Sequence, residues 1–293
     1  MIGFSLLLCC LACAVQQKPI VTEANQSGNE TQVSKLSASS NAGQNTFEPK
    51  KLECGDFAID FRRMANDIKC EAVDGYELQN ETDKPDSTLP EHLQIKLIGY
   101  RERATSIQPE ILVFRMSQLR NALAKSQEYI ATLDTDVSTI KAIIADGDHW
   151  KDKELPSLPW VDAHQDSHTH QKRLDFLNGS GIVFLVQFNV EPSLINNEQL
   201  EYEFQGFAND GDTFVTGSFP VRSSTLPETS AVTSIPGYSI PEDFYGLNYD
   251  ANKKAFQNYL KRINGKLAGM NSAQFEPDLE SINVVLKSIK IGK

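Results

Sequence analysis

The chain lacks an excess of basic residues. Its 293 residues include 28 lysines and arginines against 39 aspartates and glutamates, so the formal net charge is −11. Nucleic-acid binding requires a basic face that neutralises phosphates, and anionic lipid headgroups attract the same residue types. We therefore expect no nucleic acid among the partners and no direct electrostatic adhesion to a membrane.

Catalytic signatures are also missing. The sequence contains neither the G-x-S-x-G elbow of α/β-hydrolases nor the H-E-x-x-H motif of zinc proteases, and no C-x-x-C occurs after residue 13. Gly179-Ser180-Gly181 resembles part of a phosphate-binding loop, but no Lys-Ser or Lys-Thr pair follows it in register. The sequence therefore predicts no catalytic residue and no cofactor.

No apolar run is long enough to span a bilayer. Residues 2–15 are apolar apart from Gly3 and Ser5. This run is shorter than the about 20 residues of a membrane-spanning helix, but it is typical of the apolar part of a signal peptide. We predict a signal peptide over residues 1–14, and the lack of Lys and Arg at its beginning indicates a start further upstream.

Two processing routes are open at the end of this signal. Leu11-Ala12-Cys13 resembles a bacterial lipobox in which Cys13 is lipidated, although Cys10 stands where an aliphatic residue is usual. Cleavage after Ala14, at a small-residue site, is the other route. Residues 15–50 are rich in Ser, Asn, Gln, Thr and Glu. They bury too little apolar surface to offset their ordering entropy, so we predict a disordered polar linker.

The body of the chain has only two cysteines, Cys54 and Cys70. An exported, oxidising setting allows them to form a disulfide. The loop that such a bond closes is worth roughly 3 kcal/mol in the chain-entropy model. Two unpaired thiols are the alternative that the sequence leaves open.

Apolar periodicity predicts a single α+β domain over residues 51–293. Alternating apolar residues at 57–61 and 93–97 predict strands, and helical spacing covers residues 117–146. Asp134 or Thr135 is expected to cap a second helix and divide this run. Two further helices are predicted near the C-terminus. Asp250 is expected to cap the first of them, and the last opens at Pro277.

Two hairpins are predicted in the second half of the chain. Their turns are Asn178-Gly179-Ser180-Gly181 and Asn209-Asp210-Gly211-Asp212. Glu201 and Glu203 alternate with apolar residues, which predicts that they lie on the solvent face of a strand. Strands, a helix, hairpins and closing helices, in that order, favour one mainly antiparallel sheet with helices packed on it.

Several segments occur in an order that resembles an uncharacterised family of bacterial exported lipoproteins. The most specific are LDFLNGSGIVFLVQFN, with its Asn-Gly-Ser-Gly turn, and the hairpin EYEFQGFANDGDTFVTGSFPV. The similarity runs from about residue 89 to the C-terminus, with gaps. The resemblance implies export and a lipid anchor, and it brings no activity, cofactor or catalytic residue. The layout is also similar in topology to PsbP/Mog1-type domains, an analogy that carries no function.

The stretch DAHQDSHTHQ is the richest candidate for metal chemistry. It holds His164, His168 and His170 together with Asp166, and imidazole and carboxylate are the ligands of zinc sites. On a strand the three histidines share one face. The alternative is a polar loop or strand edge that leads into the first hairpin, and the missing zinc motif favours it.

Other residues leave two interpretations open. Trp160, Phe244 and Tyr245 flank proline-rich segments, where they either line a ligand groove or anchor loops to the core. Asp210 and Asp212 resemble part of a calcium loop, but the further ligands of such a loop are absent.

The function that these observations favour is non-catalytic. We expect an exported lipoprotein of the bacterial cell envelope, anchored to the membrane through Cys13, that presents a binding or accessory domain to an envelope protein, a polysaccharide or a small ligand. A soluble periplasmic or secreted protein differs only in its anchoring. The alternative function is a metal-dependent hydrolase that uses His164, His168 and His170.

Overall fold

The structure, a computed structural model, describes residues 51–54, 57–61, 64–80, 83–85, 88–100, 107–146 and 154–292. The predicted signal peptide, Cys13 and the predicted linker over residues 15–50 lie outside the described residues. None of the described helices combines the length and the hydropathy needed to cross a membrane.

The described part of the chain contains twelve strands and four α-helices. They are β1 (Lys51–Cys54), β2 (Phe57–Asp60), β3 (Asp67–Val73), β4 (His92–Ile98), β5 (Glu110–Arg115), α1 (Met116–Ala122), α2 (Gln127–Asp146), β6 (His164–Phe176), β7 (Gly179–Asn189), β8 (Glu201–Ala208), β9 (Thr213–Pro220), β10 (Ser234–Ile235), β11 (Tyr238–Ser239), α3 (Tyr249–Ala268), α4 (Leu279–Lys287) and β12 (Lys290–Ile291).

One antiparallel sheet of seven strands dominates the fold. Its strand order is β3-β4-β5-β9-β8-β7-β6, and every neighbouring pair is antiparallel. Strands β1, β2 and β12 form a second antiparallel sheet, and β10 pairs with β11. The predicted α+β class, with a mainly antiparallel sheet and helices packed on it, is confirmed.

Helices cover both faces of the seven-stranded sheet. Val183 and Leu185 of β7 belong to a core that includes residues of α3 and α4. Ile182 and Phe184 of the same strand belong to a second core with residues of α1 and α2. Successive residues of a strand point to opposite faces. Alternate residues of β7 therefore pack into two separate cores, and neither face of this strand is the solvent-exposed face of the sheet.

The first predicted hairpin turn is tighter than the sequence indicates. The turn consists of residues 177 and 178, and Ser180 and Gly181 already pair within β7. A Cβ atom on Gly181 would stand only 2.5 Å from Cε2 of Phe204. The glycine therefore gives room to the Phe204 ring on the neighbouring strand instead of forming the turn.

The second predicted turn is confirmed at residues 209–212. Gly211 adopts a φ of +74°, a region that glycine enters without steric cost. One carboxyl oxygen of Asp210 accepts the amide hydrogens of Asp212 and Thr213, at 2.9 and 2.8 Å. Asp212 in turn accepts from the amide of Ser117 at 2.8 Å. The two aspartates that resembled a calcium loop therefore hold a turn and the first residues of α1.

The predicted division of the central helix at Asp134 or Thr135 is wrong. The break between α1 and α2 lies at residues 123–126. The hydroxyl of Thr135 donates to the carbonyl oxygen of Ala131 at 2.9 Å, so it stays inside the helix without acting as a cap. Ser126 has the capping role, because its Oγ accepts the amide of the third residue of α2 at 3.4 Å.

The beginnings of the last two helices also differ from the prediction. Asp250 lies inside the first turn of α3, after the cap position at Asn248, where its charge still interacts favourably with the helix dipole. Pro277 precedes α4, whose cap is Asp278. A carboxyl oxygen of Asp278 accepts the amide of Glu280 at 3.1 Å.

A disulfide joins Cys54 at the end of β1 to Cys70 in β3, with 6.2 Å between the two Cα atoms. Of the two alternatives that the sequence left open, the structure contains the paired form. Because β1 belongs to the three-stranded sheet and β3 to the seven-stranded sheet, this bond fastens an edge of one sheet to the other.

We predict that replacing both cysteines by serine lowers the free energy of unfolding by about 3 kcal/mol, since the bond closes a short loop in the unfolded chain. Urea unfolding of the wild type, with and without reductant, measures the change. The double variant, Cys54→Ser with Cys70→Ser, serves as the control because reductant should leave its midpoint unchanged. Equal midpoints for the wild type in both conditions would contradict the prediction.

Candidate functional site

The three histidines of the DAHQDSHTHQ stretch lie on β6, an edge strand of the seven-stranded sheet. The pairing of β6 with β7 shifts register twice, between Gln165 and Ser167 and between Thr169 and Lys172. Each bulge interrupts the alternation of side chains. The expectation that the histidines share one face of the strand is therefore wrong.

His170 separates from the other two histidines. It lies in the second bulge with a φ of +54°, and its Nε2 donates to the carbonyl oxygen of Leu267 in α3 at 2.8 Å. Its ring meets Phe275 edge to face, and burial lowers its pKa. His164 and His168 instead line a cleft beside α3. Among the described residues no group of three or more His, Cys, Asp or Glu side chains could hold a metal ion.

This cleft, which we call the aromatic cleft, has a volume of about 920 Å³. It lies along the seam between β6 and α3. Its lining includes residues of β6, of the turn after β7, and of the segment before α3 together with that helix: His164, Asp166, His168, Thr169, Asn189, Val190, Glu191, Phe244, Tyr245, Tyr249, Lys253, Phe256, Lys261 and Asn264.

Aromatic rings form one wall of the aromatic cleft. Phe244 is buried and meets Tyr245 and Phe256 edge to face, at ring-centroid distances of 5.2 and 5.9 Å. Tyr245 stacks on Tyr249 at 5.9 Å. Its hydroxyl is hydrogen-bonded to Glu191, which raises the pKa of the tyrosine. Phe244 anchors this wall to the core, while the two tyrosines remain exposed.

The floor of the aromatic cleft is polar. A carboxyl oxygen of Asp166 accepts from Nδ2 of Asn189 at 2.7 Å, and its backbone oxygen accepts from Nδ2 of Asn264 at 3.0 Å. Burial raises the pKa of Asp166 to about 6, against the smaller opposing effect of the Asn189 hydrogen bond. The carboxyl group therefore ionises close to neutral pH.

A buried amide network holds the turn after β7 in place beside the cleft. Nε2 of Gln187 donates to Asn189 and to the carbonyl oxygen of Leu194, both at 3.2 Å. Its Oε1 accepts the amide of Asn196 at 2.9 Å. The hydroxyl of Tyr259 in α3 accepts the amide of Ile195 at 2.8 Å. These bonds fix the turn, the strand and the helix that surround the cleft relative to one another.

A second cleft of about 390 Å³ lies on the opposite face of the sheet, under the segment that leads to β6. We call it the carboxyl cleft, because Glu110, Glu201 and Glu203 line it together with Trp160. The prediction that Glu201 lies on a solvent face is wrong, since it is only 8 % exposed, and Glu203 is half-buried. The segment around Pro156 covers them, and Nε2 of Gln205 donates to its carbonyl oxygen at 2.7 Å.

The two central carboxyl groups of this cleft are electrostatically linked. Burial raises the pKa of Glu203 well above its usual value, and the neighbouring Glu201 charge raises it further. Burial also raises the pKa of Glu201, which accepts a short hydrogen bond from Ser218. The two carboxyls affect each other unequally: Glu201 raises the pKa of Glu203, whereas Glu203 opposes the rise at Glu201.

The aromatic residues singled out in the sequence divide between the two clefts. Phe244 and Tyr245 line the aromatic cleft, and Trp160 lines the carboxyl cleft. The indole Nε1 of Trp160 donates to Asp136 of α2 at 2.8 Å, so this residue also anchors its loop. Sequence reasoning did not find Tyr249, although it follows Tyr245 by four residues, the spacing of one helical face.

The comparisons with known proteins add nothing to this geometry. No protein-family model matches the chain, and neither a curated protein nor a solved structure does. The resemblance to exported lipoproteins therefore stays a prediction, and the function has to be inferred from the site itself.

We predict that Glu203→Gln stabilises the protein at neutral pH. A carboxyl with a raised folded-state pKa binds its proton more tightly in the fold, so stability falls as the pH rises from about 4.3 through that pKa. Each unit by which the folded pKa exceeds the unfolded one is worth about 1.4 kcal/mol. The glutamine can still donate a hydrogen bond to Glu201.

Urea unfolding at several pH values between 4 and 9 tests this. The free energy of unfolding of the variant should exceed that of the wild type by an amount that grows as the pH rises, and the two values should be equal near pH 4. Glu242→Gln, at an exposed position, is the matched control and should follow the wild type throughout. A constant or negative difference for Glu203→Gln across the range would refute the prediction.

Proposed function

We propose that this chain is a non-catalytic binding module of the bacterial envelope, anchored by a lipid on Cys13, and that its ligand occupies the aromatic cleft. The signal-like N-terminus with its adjacent cysteine and the polar linker support the anchoring. The exposed tyrosines of the aromatic cleft support the binding role, and they are the observation that carries it.

Three exposed apolar or aromatic side chains, Val190, Tyr245 and Tyr249, lie together at this cleft. Tyr245 is 60 % exposed and Val190 is 72 % exposed, and both line the cleft. Leu247, between the two tyrosines in sequence, is fully exposed. A grouped apolar surface of this kind is costly in water and typically marks a binding site. Because Phe244 is buried beneath Tyr245, the exposed ring is held in place and does not have to be ordered on binding.

The geometry does not favour the alternative of a metal-dependent hydrolase. His170 is engaged with Leu267 and Phe275, away from the cleft that His164 and His168 line. Catalytic zinc sites use three protein ligands, and among the described residues His164, His168 and Asp166 do not form a group that could hold a metal ion.

The lipid anchor is tested by metabolic labelling with a palmitate analogue. We expect the full chain to be labelled in a bacterial host and the Cys13→Ser variant to lose the label, because the thiol of Cys13 is the attachment point. Cys9→Ser, four residues away and outside the lipobox-like motif, is the matched control and should keep it. An unlabelled wild type would rule out the anchor while leaving the binding role to be judged separately.

Binding is tested by co-sedimentation of the full chain, purified in detergent, with detergent-washed insoluble envelope material. Tyr245→Ala together with Tyr249→Ala should lower the bound fraction at least tenfold, since the exposed stacking faces are removed. Tyr76→Ala is the matched control, because Tyr76 is 61 % exposed and does not line the cleft. Equal sedimentation of the double variant and the control would contradict the proposed binding site.

A further inference from the structure

Three buried polar atoms on the wall of the aromatic cleft have no hydrogen-bond partner in the described part of the chain. They are Nδ1 of His168, Oγ1 of Thr169 and Oδ1 of Asn264, and all three residues line the cleft. Thr169 is only 8 % exposed. All three atoms are shielded from solvent, so a ligand hydroxyl reaches them only where β6 and α3 move apart at this seam. An unsatisfied buried polar group costs about 1–3 kcal/mol, and hydrogen bonds to such a ligand would offset the movement.

The chemistry of these atoms restricts the groups that the ligand offers. The amide oxygen of Asn264 only accepts hydrogen bonds, the hydroxyl of Thr169 donates and accepts, and the imidazole nitrogen of His168 does either according to its tautomer. A ligand hydroxyl satisfies all three atoms because it donates and accepts. An ammonium group only donates, and a carboxylate only accepts.

Charge in the cleft is mixed in sign. Lys253 and Lys261 line the same opening as Glu154, Asp166 and Glu191. Nζ of Lys253 stands 5.8 Å from the ring centroid of Tyr249, where a cationic ligand group would otherwise bind to that ring. A lining without a dominant sign gives no net attraction to a cation or an anion, and it therefore favours a neutral ligand.

The aromatic wall and the size of the cleft complete the description. Exposed tyrosine rings offer flat apolar faces that suit the C–H face of a pyranose ring, while their hydroxyls stay hydrated. The volume of about 920 Å³ lies at the upper end of the range for small-molecule sites, which is large enough for several sugar rings.

We infer that the ligand of the aromatic cleft is a neutral oligosaccharide, with a sugar ring stacked on the exposed Tyr245 ring and hydroxyls bonded to Thr169, Asn264 and His168. This inference rests on the proposed function, since it names the ligand class of the same cleft. It adds a role for buried polar atoms that co-sedimentation with envelope material does not examine.

The test is isothermal titration of the full chain, in detergent, with defined tetrasaccharides of glucose and of N-acetylglucosamine in β-1,4 and β-1,3 linkage. Tetragalacturonate serves as an anionic probe and the chitosan tetramer as a cationic probe. At least one neutral tetrasaccharide should bind, with Tyr245→Ala weakening it at least tenfold and Tyr76→Ala leaving it unchanged. Both charged probes should bind at least tenfold more weakly than the best neutral one.

Thr169→Val is the decisive variant. It keeps the shape of the side chain and removes only a hydroxyl without a partner, so it should leave the unfolding midpoint unchanged or raise it. It should nevertheless weaken the binding of the neutral tetrasaccharide about fivefold. Ser230→Ala, at an exposed hydroxyl outside the cleft, is the control for the substitution of a hydroxyl group and should not change binding.

The outcomes separate the ligand class from the function. If no neutral tetrasaccharide binds, or if a charged probe binds better, the proposed ligand class is wrong. Tyrosine-dependent sedimentation with envelope material would in that case still support the proposed binding module. If sedimentation also fails to depend on the tyrosines, both proposals are wrong. Unchanged affinity in Thr169→Val overturns the role assigned to the buried polar atoms.

Discussion

Coverage of both faces of the seven-stranded sheet is the constraint on which the rest of the structure depends. An antiparallel sheet commonly keeps one face in water, but here α3 and α4 cover one face and α1 and α2 cover the other. Every polar residue on a central strand must then find a partner inside the protein. Glu203 pairs across the sheet with Phe184 on one side and Ser218 on the other, which places its carboxyl in an interior row.

The edge strand β6 is subject to a different constraint from the central strands. β6 has β7 on one side, and its other side is the edge. A bare edge with unpaired backbone groups invites association with other chains. Two bulges bend β6, and α3 binds it through His170 and Leu267 and through Asn264 and Asp166. Because helix and bent strand meet at only some points, a seam remains between them, and this seam is the aromatic cleft.

The local sequence pattern predicted those features of the fold that depend on residues close together in the chain. The fold class and the turn at residues 209–212 follow from alternation and from the residues that tolerate a turn. The burial of Glu201 could not be predicted, because alternation distinguishes two faces without revealing what covers the second one. The prediction that the three histidines share one face of the strand is wrong for a related reason. Bulges in β6 arise from its pairing with β7 and its packing under α3, and these tertiary effects leave no period in the ten residues concerned.

The two clefts differ in how their polar groups are satisfied, and this difference supports the aromatic cleft as the proposed binding site. In the carboxyl cleft Glu201 accepts from Ser218, Glu110 accepts from Gln94 at 2.6 Å, and burial raises the pKa values of Glu201 and Glu203. None of these three carboxyls is among the buried side-chain atoms that lack a hydrogen-bond partner in the described part of the chain. Beside the aromatic cleft, three buried polar atoms lack hydrogen-bond partners among the described residues while tyrosine rings face the solvent. Unsatisfied polar atoms and exposed aromatic rings at one place are what is expected of a surface that binds another molecule, and they are the reason that the proposed ligand is assigned to this cleft.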